Sequence, residues 1–241
     1  MTGRKEKREE LTDRLGFLNG CLYLRDAGIC IVSDLHIGLE DELRRQGLAF
    51  PLNEKTILTE RLNGVLDEFR PKTFVINGDI FHSFDRIDSR IRDKFSSVLR
   101  LLEKGCEVVL LKGSHDTLIS KIYPDALERY DADGFTFAHG HEALEGFGTL
   151  VMGHEHPVIE IEMQRLPCFL FGRKAVCEKD LLITPAFNPL CQGVTINQVE
   201  GRDFMSPMLK RINTGELEPV VEFQGEVLEF PRLRELRRHI S

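Results

Sequence analysis

The 241-residue chain contains no tryptophan and only three tyrosines. It therefore has little material for a platform on which successive bases could stack. It also lacks any C-x-x-C pair. Cys21, Cys30, Cys106, Cys168, Cys177 and Cys191 stand singly, several inside or beside apolar runs, where a free cysteine acts as a small buried hydrophobe. A disulfide framework or a zinc knuckle is disfavoured, and no cysteine is a candidate for chemistry. Long hydrophobic runs are missing too: stretches such as Val108-Val109-Leu110-Leu111 are far too short to span a bilayer. The N-terminus, charged from Arg4 to Glu10, has no apolar stretch and does not read as a secretory signal, so a cytoplasmic location is expected. Finally, positive charge is not in excess. A formal net charge of −7 argues against a broad basic surface for nucleic acid, although bound divalent ions would make an acidic protein locally attractive to phosphate.

What is present suits one sizeable globular domain with a full core. Ile29–Val32, Thr73–Ile76 and Val108–Leu111 read as buried strands. Between them, 54–69 places Ile57, Leu58, Leu62, Val65, Leu66 and Phe69 on one helical face, and 89–102 does the same with Ile91, Phe95, Val98, Leu99 and Leu102. Pro71 and Gly105 supply the stops. Beyond residue 135 short strands follow closely: 135–137, 148–152, 158–162, 168–171 and 181–184. A βαβαβ half followed by a mainly β half predicts an α/β fold with two sheets packed face to face and helices outside. Residues 1–15 form a charged segment, and 219–241 read as a hairpin turning at Gly225 plus a short basic helix over 232–240. The arginines of that helix most simply form a solvated face.

Chemistry concentrates in five short stretches, in order: Asp34-Leu35-His36, Gly78-Asp79-Ile80-Phe81-His82, Gly113-Ser114-His115-Asp116, His139-Gly140-His141 and Gly153-His154-Glu155-His156. Four of them directly follow a β-prone apolar run, which would deliver oxygen and nitrogen ligands to one sheet edge. On an extended segment Asp34 and His36 point to the same side and could reach one metal. Asp79 could bridge two ions through its two oxygens. His139, His154 and His156 lie at or just beyond strand ends. Singly, each histidine is more simply a hydrogen-bonded structural residue; together, in order, they read as a site.

These stretches resemble the signature of the calcineurin-like metallophosphoesterases: D-x-H, G-D-x-x-D/N/H, G-N-H-D/E, H and G-H-x-H. Within that family, Ser33–Glu40 and Asn77–Ser83 are similar to archaeal SbcD-related and bacterial ligase-associated DNA phosphoesterases, where a histidine closes the second motif. The resemblance implies a four-layer α/β/β/α sandwich of two mixed sheets. It also implies two divalent ions, with Mn2+ the first choice and Fe2+ or Zn2+ also suited to mixed Asp/His ligation. One ion would be held by Asp34, His36, Asp79 and His156; the other by Asp79, the position of Ser114, His139 and His154. His115 would be the catalytic histidine, protonating the leaving oxygen, with Asp116 orienting its ring. His82 is the second candidate for that role, or orients a ligand.

His141 is assigned to substrate contact or ligand support. Arg44, Arg45 and Arg86 could clamp a phosphodiester as bidentate donors, or be ordinary solvated arginines. Ser114 departs from the family's asparagine: a neutral hydroxyl is a poorer and shorter donor than an amide oxygen, which predicts a weaker second metal. The implied activity is a metal-dependent phosphodiesterase, a DNA endo- or exonuclease in repair or processing, with DNA as substrate and a helicase or ligase as partner. The alternatives are a phosphoesterase on a nucleotide, cyclic nucleotide or other small ester, and a non-catalytic binding scaffold.

Overall fold

A computed structural model of the chain describes residues 13–48, 53–83 and 87–237. Apolar four- and five-residue runs in its first half form one sheet. Its strands are β1 (Leu15–Leu18), β2 (Cys21–Leu24), β3 (Ile29–Val32), β4 (Thr73–Asn77) and β5 (Glu107–Leu111), lying side by side in chain order. β1, β2 and β3 are antiparallel; β3, β4 and β5 are parallel. The parallel pairs require crossovers, which are supplied by α1 (Leu39–Arg45) and α2 (Glu54–Phe69), then by α3 (Ser89–Leu102). α2 and α3 coincide with the helical faces expected from periodicity. Asn53 and Asp88 cap them, their side chains accepting from Thr56 N–H and Ile91 N–H. Leu58, Leu62, Val65, Phe95 and Val98 pack these helices on Cys30, Val32, Phe74 and Ile76 of the sheet's outer face.

After the short α4 (Ile119–Ile122) the chain is almost all strand. In order come β6 (Tyr130–Ala132), β7 (Phe135–Phe137), β8 (Thr149–Met152), β9 (Pro157–Ile161), β10 (Gln164–Pro167), β11 (Phe169–Val176), β12 (Lys179–Ile183), β13 (Val194–Thr195), β14 (Glu218–Phe223) and β15 (Glu226–Glu229). Seven of these build the second mixed sheet in the order β15-β14-β11-β12-β8-β7-β6, and β10-β9-β13 make a small third one. The two large sheets face each other across Ile31, Val75 and Leu111 on one side and Phe137, Val151 and Leu182 on the other. Phe17 meets Phe169 edge-on across that core at 4.9 Å.

Two details differ from expectation. The outer face of the second sheet is covered mainly by 3-10 turns at 201–203, 209–211 and 214–216 and by the short α5 (Leu233–Arg237), which contribute Leu209 and Leu233. Gly201, Pro207 and Gly215 interrupt any longer helix there. The N-terminal charged segment does not extend to residue 15: buried Leu15 begins β1, and β1 turns into β2 at Asn19-Gly20 with both residues left-handed, φ 53° and 79°, a type I′ hairpin turn. Residues 1–12, and residues 238–241 of the expected basic helix, lie outside the described residues. The hairpin at Gly225 forms as expected, with Gln224 and Gly225 both at positive φ. No described helix is long and apolar enough to cross a membrane.

Candidate metal centre

All five chemistry-bearing stretches leave the carboxyl ends of strands: β3, β4 and β5 in the first sheet, β7 and β8 in the second. The strands are parallel within each set, and such carboxyl ends are where open α/β sheets form ligand crevices. The loops approach one another too closely for any side chain at two points. A Cβ on Gly113 would lie 2.1 Å from Asp79 N, and one on Gly78 would lie 2.4 Å from His139 Nδ1.

The backbone route differs from the expected one. Asp34, His36, Asp79, His154 and His156 all sit in the left-handed region, with φ of 60°, 41°, 46°, 69° and 44°. Such conformations cost about 1–3 kcal/mol each and concentrate at functional sites. Asp34 and His36, like His154 and His156, therefore converge through kinked loops, and not because an extended segment alternates its side chains.

The convergence yields two donor clusters, each with its ligand atoms within 4.8 Å of one another: Asp34, His36 and Asp79 in the first, Asp79, His139 and His154 in the second. His156 joins the first, its Nε2 lying 3.1 Å from Asp34 Oδ1 and 3.3 Å from His36 Nε2. Asp79 belongs to both. Its Oδ2 is 3.3 Å from His139 Nε2, and its Oδ1 accepts from His115 N–H at 2.8 Å. Asp34 Oδ2 accepts from His154 N–H at 3.1 Å. Yet Asp34 Oδ1 and His139 Nε2 are buried with no hydrogen-bond partner. Buried polar groups are rarely left so, and a cation is the partner these donors suit. His139 Nδ1 can only donate to the Asn77 carbonyl, 3.0 Å away, which leaves Nε2 as the nitrogen facing Asp79.

Charge balance follows from these contacts. Burial opposes ionisation of Asp34, but His156 and His139 hold it below the ordinary carboxylate value. Burial is likewise outweighed at Asp79, chiefly by His139. Burial would lower His139, but Asp79 and Asp34 beside it raise it to about 9. Burial drives His36 and His154 down to about 4, the second helped by His139. His156 is raised, burial being outweighed by Asp34.

Around the clusters, His115 Nδ1 donates to the His82 carbonyl at 2.8 Å, and its Nε2 lies 4.0 Å from Asp79 Oδ2. Asp116 does not orient that ring. Its carboxylate accepts from the backbone N–H groups of Ile80, Phe81 and Gly113, tying the second motif to the third; burial pushes its carboxyl up. The ring of His82 stacks near that of His115, centroids 6.0 Å apart, and the ligand atoms of His36, His82 and His115 are within 4.8 Å of each other. Burial and His115 lower the pKa of His82.

The Ser114 hydroxyl donates to Asp79 at 3.2 Å from Oδ2. His141 flanks the second cluster, its ring 5.3 Å from that of His139, with Nδ1 buried and unpartnered. Arg44 and Arg45 are exposed and pair with Glu40 and Glu42 on their own helix. Arg86 lies outside the described residues.

Several contributors were not anticipated. Fully buried Glu155, between two ligand histidines, accepts from Met205 N–H and Ser206 N–H. Glu54 accepts from Gly38 N–H and from Lys94 Nζ, each at 3.0 Å. Asn188, from the loop after β12, donates to the Leu35 carbonyl at 2.9 Å and to Glu54 at 3.1 Å. Glu54 and Asn188 brace the first motif from behind. The Cys191 sulfur, set aside on sequence grounds, lies within 4.8 Å of the ligand atoms of His36 and His156. An Asn-Pro pair at 188–189 was the one local signal of a special turn.

A solved structure of a known protein resembles this fold. The crystal structure of Pseudomonas putida nuclease MPE is similar, at TM-score 0.61 and 21% identity over 90% of this chain and 94% of that one. Yfce, a phosphoesterase from E. coli, aligns at TM-score 0.39 and 16% identity over 66% of this chain and 79% of that one. No curated protein matches. The model of the calcineurin-like phosphoesterase family matches residues 28–168, which is more than half of the chain and includes all the aspartate and histidine ligand candidates named above. With its motifs at the strand ends and its acidic and imidazole side chains gathered into buried clusters, the chain belongs to the calcineurin-like phosphoesterase family.

Proposed function

We propose that this metallophosphoesterase holds two divalent ions and hydrolyses phosphodiester bonds in nucleic acid. The observation that carries the reading is the position of Asp79, a carboxylate common to two donor clusters in which Asp34 Oδ1 and His139 Nε2 are buried without a hydrogen-bond partner. Asp34, His36, Asp79 and His156 would hold one ion; Asp79, His139 and His154 the other. Bound ions would supply Lewis-acid stabilisation of negative charge on the phosphoryl oxygens. Ser114 already spends its proton on Asp79, so the second seat has fewer strong donors and binds more weakly.

The chain's own chemistry centres on His115. Because a carbonyl cannot donate, Nδ1 carries a proton toward His82. The protonated ring then has a second proton on Nε2, on the side facing Asp79, to give to a leaving alkoxide. Its side chain is 22% exposed, so substrate can reach it. His82 and His141 stand on either flank, where they could contact the phosphate or fix the ligands.

The nucleic-acid half draws support from the shared fold with a nuclease and from the partial exposure of His115. The net charge of −7 favours a second reading, a small phosphodiester. Plasmid nicking measured beside hydrolysis of bis(p-nitrophenyl) phosphate, both with Mn2+, separates them. Nicking supports the first reading; turnover of the small ester with intact plasmid refutes it.

A further inference from the structure

The loop carrying Cys191 is fixed to both histidine-bearing motifs of the first seat. Asn188 Nδ2 donates to the carbonyl of Leu35, between Asp34 and His36. Cys191 N–H donates to the Asn188 carbonyl, and Val194 N–H to the His156 carbonyl, each at 3.0 Å. Arg165 closes the loop from outside by donating to the carbonyls of Gln192 and Gly193. This scaffold holds the sulfur within 4.8 Å of the ligand atoms of His36 and His156.

The two Nε2 atoms are 3.3 Å apart. Two imidazoles on one tetrahedral ion are separated by about 3.4 Å when metal–nitrogen distances are 2.0–2.1 Å. His36 is 4% exposed and its Nδ1 has no hydrogen-bond partner, so no second bond locks the ring against settling onto an ion. The other seat, formed by Asp79, His139 and His154, has no sulfur in its cluster.

We propose that Cys191 is a thiolate ligand which, with His36 and His156, binds a soft divalent ion at the first seat and makes that seat select zinc over manganese. Thiolate favours soft or borderline ions, whereas carboxylates suit manganese equally well. On binding, the S–H bond breaks, a sulfur–metal bond forms, and one proton leaves to solvent. The proposal rests on the two-ion reading and deepens it by making the seats chemically unequal.

The test titrates metal-free full-length protein with Cd2+ and reads the ultraviolet cadmium–thiolate charge-transfer band. Wild type is compared with Cys191→Ser and with Cys177→Ser, whose thiol is exposed. The band is expected in wild type and Cys177→Ser and lost in Cys191→Ser. Zn2+ affinity at one of two ions should fall at least tenfold in Cys191→Ser, with Mn2+ affinity unchanged.

Absence of the band in wild type, or its persistence in Cys191→Ser, overturns the proposal. Zinc-edge X-ray absorption on the wild type answers without a variant: a sulfur scatterer at about 2.3 Å supports it, and nitrogen and oxygen alone refute it. Two bound Mn2+ ions with no thiolate signal sink only this inference. Failure to bind any ion sinks the two-ion reading as well.

Discussion

Replacing Asp116 with Asn separates a structural carboxylate from a catalytic one. The carboxylate takes bonds from Ile80 N–H at 3.0 and 3.1 Å, Phe81 N–H at 3.1 Å and Gly113 N–H at 2.9 Å, with both oxygens engaged. An amide offers one oxygen, so in either orientation its NH2 group faces a backbone N–H and leaves it unsatisfied. A buried unsatisfied donor costs about 1–3 kcal/mol. Removing a charge whose burial is unfavourable, as the raised carboxyl pKa indicates, returns part of that. We expect a net loss of about 2 kcal/mol, a fall in Tm of roughly 4–8 °C for a chain of this size.

Because the His115 ring is held by the His82 carbonyl, the pH profile of kcat on DNA, whose alkoxide leaving group needs the His115 proton, should keep its shape. Calorimetry and that profile together decide the matter. A wild-type Tm with a displaced profile would show that Asp116 acts through His115 after all.

Other perturbations follow from the same contacts. His115→Ala should lower kcat on DNA by about 10²–10⁴-fold but leave p-nitrophenolate release nearly intact, since that leaving group needs no proton; equal losses on both would refute the proton-donor role. The raised His139, at about 9, must lose its proton to coordinate, so at pH 7 metal binding should release a proton. Affinity should then rise about tenfold per pH unit until pH 9 and level off above it; calorimetry in buffers of different ionisation enthalpy checks this. Without metal, a group raised on folding stabilises most fully below its ordinary value of 6.5. The His139 contribution should therefore fade as pH rises toward 9, visible as a Tm that declines over that window in chelator and does so less with metal. Lys94→Met should cost about 3 kcal/mol by stripping buried Glu54 of its cation, 3.0 Å away; thermal denaturation would contradict this if Tm moved by less than about 2 °C.

Much of the site was legible because ligand chemistry is local: each motif pairs small residues with carboxylates or imidazoles beside a strand. The helices over 54–69 and 89–102 were legible from their periodic apolar faces. What escaped depends on distant partners. Nothing near Asn188 announces that its amide reaches Leu35, 153 residues away, and nothing beside Glu54 reveals Lys94. Asp116 was misread because adjacency to His115 in sequence does not fix where a side chain turns once the loop closes. The extended-segment argument for Asp34 and His36 reached the right neighbourhood by the wrong path, since period-two alternation does not hold where φ is positive. The β1–β2 hairpin was available in principle: Asn19-Gly20 is a strong turn signal, hidden beside a charged segment.

The central claim, two ions sharing Asp79, is tested most directly by anomalous diffraction from crystals soaked in Mn2+. The account predicts two peaks on either side of the Asp79 carboxylate, the one beside His139 and His154 being the weaker. A single peak at saturating metal, or none within reach of Asp79, would contradict it.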